Sequence, residues 1–147
     1  MPPLALTVAA AVVTVAAARI HDGATAVEPT IARVVGIGIA LTGFALATLG
    51  VVAFRRARTT VDPRHPEQSA RMVTGGVYRW TRNPMYLGFV LVLLGLAIFL
   101  QSIPGLAITG AAAACLQRFQ IAPEERLLRQ RFGAEFEAYR TRVARWL

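Results

Sequence analysis

The sequence predicts an all-α integral membrane protein: about four transmembrane helices, then a C-terminal amphipathic helix, or two, lying in the membrane interface. Three observations carry that expectation. Apolar residues make up 55% of the 147 residues, and the mean hydropathy is +0.50, too apolar for a soluble domain of this size. These residues fall in blocks rather than in a periodic pattern, and blocks indicate membrane spans. The last stretch changes character and alternates apolar with charged residues. The length suits a single domain, 1–147.

Residues 3–20 form an alanine-rich first span, which lacks the basic n-region of a secretory leader. A polar connection with His21, Asp22, Gly23, Glu28 and Pro29 follows. Residues 31–54 form a second span, close to the roughly 20 residues that a hydrocarbon core requires. Gly36, Gly38, Gly43 and Gly50 allow close helix packing there, and Arg33 can snorkel to the interface. Residues 55–83 form a basic loop made irregular by Pro63 and Pro66. Residues 84–101 and 103–122 form spans three and four. Between them, Gln101-Ser102 is a very short turn, with Ser102 placed to cap the next helix and Pro104 tolerated in its first turn. So short a turn forces an antiparallel hairpin and brings Asn83 and Glu124 to one membrane face. Over residues 123–147, Leu127, Leu128, Phe132, Phe136, Tyr139, Val143 and Trp146 recur every three or four positions, an interfacial pattern that Gly133 divides.

The net charge is +8, and all 16 basic residues are arginines. Arginine suits phosphate, but nucleic-acid modules are not mostly hydrocarbon-soluble, so no nucleic-acid partner is expected. The arginines set topology instead: seven lie in residues 55–82, seven in 118–145, two in 19–33 and none in the 101–102 turn. Four spans with both termini cytoplasmic satisfy the positive-inside rule, with a bacterial inner membrane as the expected location. Membrane lipids are then the expected partners. Cys115 is the single cysteine, which excludes an intrachain disulfide, and His21 and His65 are too far apart to suggest a metal site. No ionisable residue falls in mid-span, which argues against a proton-coupled transporter.

Two polar clusters flank the hairpin. In the first, the Asn83-Pro84 step restricts Asn83 to extended backbone, and Pro84 opens a helix where a missing N–H is tolerated. This presents backbone N–H groups and the Asn83 amide, with Tyr86 one turn on. In the second, Glu124 and Glu125 form the acidic pair at the end of span four, suited to a cationic amine or to ribose hydroxyls. Singly, these features read as helix caps, topology determinants and an aromatic belt. Joined by a hairpin, they read as a binding site for a polar molecule.

The first cluster fits the pattern G-x-Y-x-x-x-R-[HN]-P-x-Y-x-G through Gly76, Tyr78, Arg82, Asn83, Pro84, Tyr86 and Gly88. The second fits E-E-x-x-L-x-x-x-F-G-x-x-[FY]-x-x-Y through Glu124, Glu125, Leu128, Phe132, Gly133, Phe136 and Tyr139. Together they resemble the isoprenylcysteine carboxyl methyltransferase and phospholipid methyltransferase superfamily of small integral membrane enzymes, over roughly half the chain. The resemblance implies methyl transfer from S-adenosyl-L-methionine to a lipophilic or membrane-associated acceptor: an isoprenylcysteine-like carboxylate, a phospholipid amine or a small thiol. It implies a cofactor held by Tyr78, Arg82, Asn83, Pro84, Tyr86, Leu87 and Gly88 on one wall and by Glu124 and Glu125 on the other. Arg82, Asn83 and Tyr86 are positioning candidates; Arg118, Arg129 and Tyr139 are secondary candidates toward substrate. Asn83 stands where the family often has His and cannot shuttle a proton at neutral pH. Pro123, just before the acidic pair, is unusual. Two readings compete: a nicotinamide-dependent membrane reductase of related architecture, and a non-catalytic lipid-binding membrane protein.

Overall fold

The computed structural model describes residues 2–20, 27–56 and 72–147; the expectations for His21, Asp22, Gly23 and the loop residues 57–71, His65 among them, lie outside these. The described residues are helical, with no strand. The helices are α1 (Pro3–Ile20), α2 (Pro29–Arg56), α3 (Pro84–Phe99), α4 (Ile103–Leu116) and α5 (Ala122–Arg142), with a 3₁₀ turn at Gly76–Arg79 and a π turn at Gln117–Ile121.

The first helix matches its expected bounds. The second starts earlier than expected, because Pro29 suits a first helical turn and the Glu28 carboxylate accepts the Ile31 N–H at 3.0 Å. α1 and α2 are long and apolar enough to cross a membrane, and only 17% and 11% of their apolar windows are buried within the chain. A core helix of a soluble protein would be mostly buried. Here Val8, Val12, Leu41 and Phe44 instead face outward.

α2 and α3 run antiparallel along a seam of glycines spaced by seven. A Cβ on Gly36 would lie 2.6 Å from the Gly95 carbonyl, and one on Gly43 would lie 2.6 Å from the Gly88 carbonyl. The seam continues to Gly50, where a Cβ would meet the Met85 side chain at 2.7 Å. Backbone thus lies against backbone, which only small residues permit and which yields close van der Waals packing in an apolar medium.

α3 turns into α4 as the short linker demands. Gln101 takes a positive φ of 51°, unusual for a side chain, while Gln101 N–H and Ser102 N–H donate to the carbonyls of Ile98 and Ala97, each at 2.9 Å. Ser102 caps α4 as expected, its Oγ accepting the Gly105 N–H at 3.0 Å. α1 packs against this hairpin, with Ala10, Leu93 and Ala112 forming one core cluster. A second cluster of Tyr86, Leu116 and Ile121 lies nearer the polar end.

Span four was expected to end at a break near residue 122. The chain does not break: α4 passes through the π turn into α5, with the Ala122 N–H reaching the Gln117 carbonyl. Pro123 explains the wide turn, since it lacks an N–H and its ring needs space behind it. The division at Gly133 is real, with non-helical φ 46° and ψ −117°.

The seam yields a contrast. Gly43→Ala and Gly88→Ala should each destabilise the purified protein by about 1–3 kcal/mol through overpacking. Gly38→Ala, which meets nothing within 4 Å, should leave its thermal melting temperature in detergent unchanged or raised.

Candidate active site

The site forms where the α3–α4 hairpin opens. Pro84 sits in the first turn of α3, and Asn83 precedes it with φ −130° and ψ 54°, short of a fully extended conformation. Its side chain does not cap the helix. Asn83 Nδ2 instead donates to the carbonyl of Arg145 at 2.9 Å, and Thr81 Oγ1 donates to the same oxygen at 3.2 Å. The Arg82 N–H donates to the Ala144 carbonyl at 3.0 Å. The chain end therefore lies along the turn before α3 as an extended strap. Trp146 secures it, donating from Nε1 to Gln117 Oε1 at 2.9 Å and packing on the Tyr86–Leu116–Ile121 cluster.

The 3₁₀ turn buries Tyr78 edge-on against Phe54, with ring centroids 5.4 Å apart. Tyr139 reaches across from α5 and donates to the Tyr78 carbonyl at 2.7 Å. Tyr86, one turn into α3, donates to Glu124 Oε1 at 2.5 Å. Glu125 is shared by two guanidinium groups: Arg82 Nη2 approaches Oε1 at 3.1 Å, and Arg145 grips both oxygens, Nε to Oε1 at 3.2 Å and Nη2 to Oε2 at 2.6 Å.

Between these groups lies a cavity of about 90 Å³, lined by Arg82, Asn83, Tyr86, Glu124, Glu125, Tyr139 and apolar neighbours including Met72, Val73 and Phe136. The Arg82 side chain is 9% exposed, and its Nε and Nη1 have no partner. Buried polar groups are seldom left this way. A second cavity, of about 940 Å³, adjoins it; Met72 and Val73 line both. Its lining includes Leu49, Val52 and Ala53 on α2, with Arg56, Arg79 and Trp80.

Burial sets the charges. It raises the Glu124 carboxyl to about 7, the Tyr86 hydrogen bond opposing it. Burial also pushes Tyr139 up to about 12 and raises Tyr78. Desolvation lowers Arg82 against the favourable charge of Glu125, whereas the Glu125 hydrogen bond raises Arg145.

The structure gathers Tyr78, Arg82, Asn83, Tyr86, Glu124, Glu125 and Tyr139 around one cavity. It places the other expected residues elsewhere. Pro84 packs near Gly50, Gly88 belongs to the α2–α3 seam, and Leu87 is buried within α3. Arg118 is exposed on the π turn. Arg129 is exposed on α5, bonded through Nε to Glu137 at 2.6 Å. Arg145 carries no sign of its place in the sequence, where it is one arginine among seven at the basic end.

An all-helical bundle with a buried polar cluster at one end of a hairpin is the class that fold and site define. The profile of the phospholipid methyltransferase family matches residues 31–135, and the chain belongs to that family. A probable protein-S-isoprenylcysteine O-methyltransferase of Oryza sativa subsp. indica is 36% identical over 112 residues, 74% of this chain and 57% of that protein. Protein-S-isoprenylcysteine O-methyltransferase B of Arabidopsis thaliana is 32% identical over 111 residues, 74% of this chain and 55% of that protein. An uncharacterized protein of Haemophilus influenzae is 40% identical over 65 residues, 43% of this chain and 100% of that protein. The chain thus spans little more than half the length of the plant relatives. No solved structure matches it.

The Glu124 value has a direct consequence. An unfolded carboxyl near 4.5 loses its proton before the folded one near 7, so over that interval the folded state holds a proton the unfolded chain has released. This group's stabilisation is full below pH 4.5, falls as pH rises and is gone above about 7, a change on the order of 3 kcal/mol. Thermal melts across that range should show a decline that Glu124→Gln flattens.

Proposed function

We propose that this chain transfers a methyl group from S-adenosyl-L-methionine to a lipophilic or membrane-associated acceptor. In this reading α1 to α4 are four membrane spans, with the polar cluster and both termini at the cytoplasmic face. The arginine distribution supports that orientation, and the family supports the reaction class.

The observation that carries the reading is Arg82. A guanidinium buried to this degree with two unused donors is a carboxylate receptor by chemistry. Across the cavity, Glu124 offers a carboxyl that becomes a counter-charge when an ammonium approaches. Together they match the amino-acid end of the cofactor: carboxylate to Arg82, ammonium to Glu124, with Tyr86 fixing the Glu124 carboxyl. The cavity of about 90 Å³ suits that end alone, since ligand pockets usually span about 300–1,000 Å³. The nucleoside needs the larger space beyond Met72 and Val73, which has room for the acceptor's reacting group too.

When bound, the cofactor supplies an electrophilic methyl group: its C–S bond breaks as the bond to the acceptor forms, and sulfur keeps the electron pair. Such a displacement needs alignment and exclusion of water more than a strong base. Phe54, Tyr78, Leu128 and Phe136 exclude water around the polar wall. Asn83, bound to the strap, holds the turn from which Arg82 projects. On the acceptor side, Arg56 and Arg79 line the larger cavity with no carboxylate among its described lining residues. That favours an anionic headgroup, with its apolar chain along Leu49, Val52 and Ala53.

Calorimetric titration of the detergent-purified protein tests this reading. S-adenosylhomocysteine should bind saturably and NADPH should not. Arg82→Met and Glu124→Gln should each weaken S-adenosylhomocysteine at least tenfold while the protein still melts cooperatively. Saturable binding of NADPH alone would move the assignment to a reductase, and wild-type affinity in both variants would remove these residues from the site.

A further inference from the structure

We infer that the C-terminal strap is a working wall of the cofactor site, and that Arg145 is a positioning residue that aims Arg82 at the ligand's carboxylate. The inference rests on the cofactor reading above and extends it to a segment outside both sequence motifs.

An arginine side chain has many rotamers, and Arg82 reaches its cavity only if something selects one. Two sets of contacts do so, and both come from the strap. The first fixes the backbone: the Ala144 carbonyl accepts the Arg82 N–H, and the Arg145 carbonyl accepts Asn83 Nδ2 and Thr81 Oγ1. Residues on both sides of Arg82 are thereby tied to one strap oxygen. The second fixes the side chain through Glu125. Arg145 grips that carboxylate through both its oxygens, in a planar fork that sets the carboxylate plane. Arg82 then meets Oε1 with Nη2 alone. Nε and Nη1 remain unpartnered, on a residue that lines the cavity. With Arg145 gone, Glu125 could rotate to take two Arg82 donors, the common bidentate pairing, and the receptor would close on itself.

Arg145 is well placed for this role because the strap has anchors besides its side chain. That side chain is 36% exposed, so shortening it leaves no buried void. The strap stays in place through Trp146 and through the carbonyls of Ala144 and Arg145, which a substitution keeps.

The test uses two ligands that differ at one end. S-adenosylhomocysteine carries the carboxylate and ammonium; 5′-methylthioadenosine keeps the nucleoside and sulfur and lacks both. In the full-length protein, Arg145→Gln should raise the Kd for S-adenosylhomocysteine about tenfold or more and leave that for 5′-methylthioadenosine within twofold. Arg145→Lys keeps the charge but not the fork, so it should retain most of the loss; it also stands in if the Gln variant fails to fold. Equal weakening of both ligands would mean a general structural role, and no change in either would mean no role; each overturns the assignment. A wild-type protein that binds neither ligand would overturn the cofactor reading itself, an outcome distinct from any difference between variants.

Discussion

The carboxylate of Glu125 is the interaction on which the polar end of this molecule depends. Arg82 is buried, and a buried guanidinium without a counter-charge is untenable; removing one partner of such a pair costs about 3–5 kcal/mol. Glu125 is nearly as buried, its side chain 11% exposed. This one group joins the turn before α3, the start of α5 and the Arg145 side chain of the strap. It also determines what its neighbour does. Successive helical residues point about 100° apart, so docking Glu125 between the two arginines turns Glu124 toward Tyr86.

That docking requires the right rotation of α5, which the π turn supplies. One extra residue in a helical turn shifts everything after it by about a third of a revolution. Pro123 forces the wide turn, and the wide turn brings both acids inward. Upstream, the glycine seam fixes α3 against α2 with backbone in contact, so Tyr86 on α3, and Arg82 on the turn that leads into it, project from a scaffold that cannot slide. Apolar packing thus positions charges whose own attraction could not order a pair of loose helices.

Much of this was legible in the sequence. Apolar blocks gave the helices, Ser102 gave the cap, Gly133 the kink and the 101–102 linker the hairpin, because each is a local rule about backbone or solvent. The acidic pair was legible as part of a candidate site but not as two different groups. Glu124 and Glu125 look alike in sequence, yet one is an internal counter-ion and the other faces the cavity, a split decided by helix rotation. Gly88 matched the motif and Leu87 lies within it, but a motif does not say which positions serve a ligand and which serve packing. The strap was the least legible. An extended segment bonded to a turn more than sixty positions earlier leaves no period, and its arginine was indistinguishable from those that set topology.

The charges on the polar wall bear on which ligands it can hold. With Glu124 protonated, two guanidinium groups face one carboxylate; with Glu124 ionised, the wall is neutral. A ligand that is only anionic would pair with Arg82 and leave Glu124 protonated, so it would gain nothing from the acid that the fold has placed opposite. A ligand that is only cationic would ionise Glu124 and leave the Arg82 donors unused. A zwitterion satisfies both, and its ammonium draws the Glu124 proton off at the moment its carboxylate meets the arginine. The pairing of a buried, half-used guanidinium with a carboxyl held near neutrality favours an amino-acid end over the phosphates of a nicotinamide dinucleotide. This holds although both kinds of ligand would find the basic surface attractive from a distance.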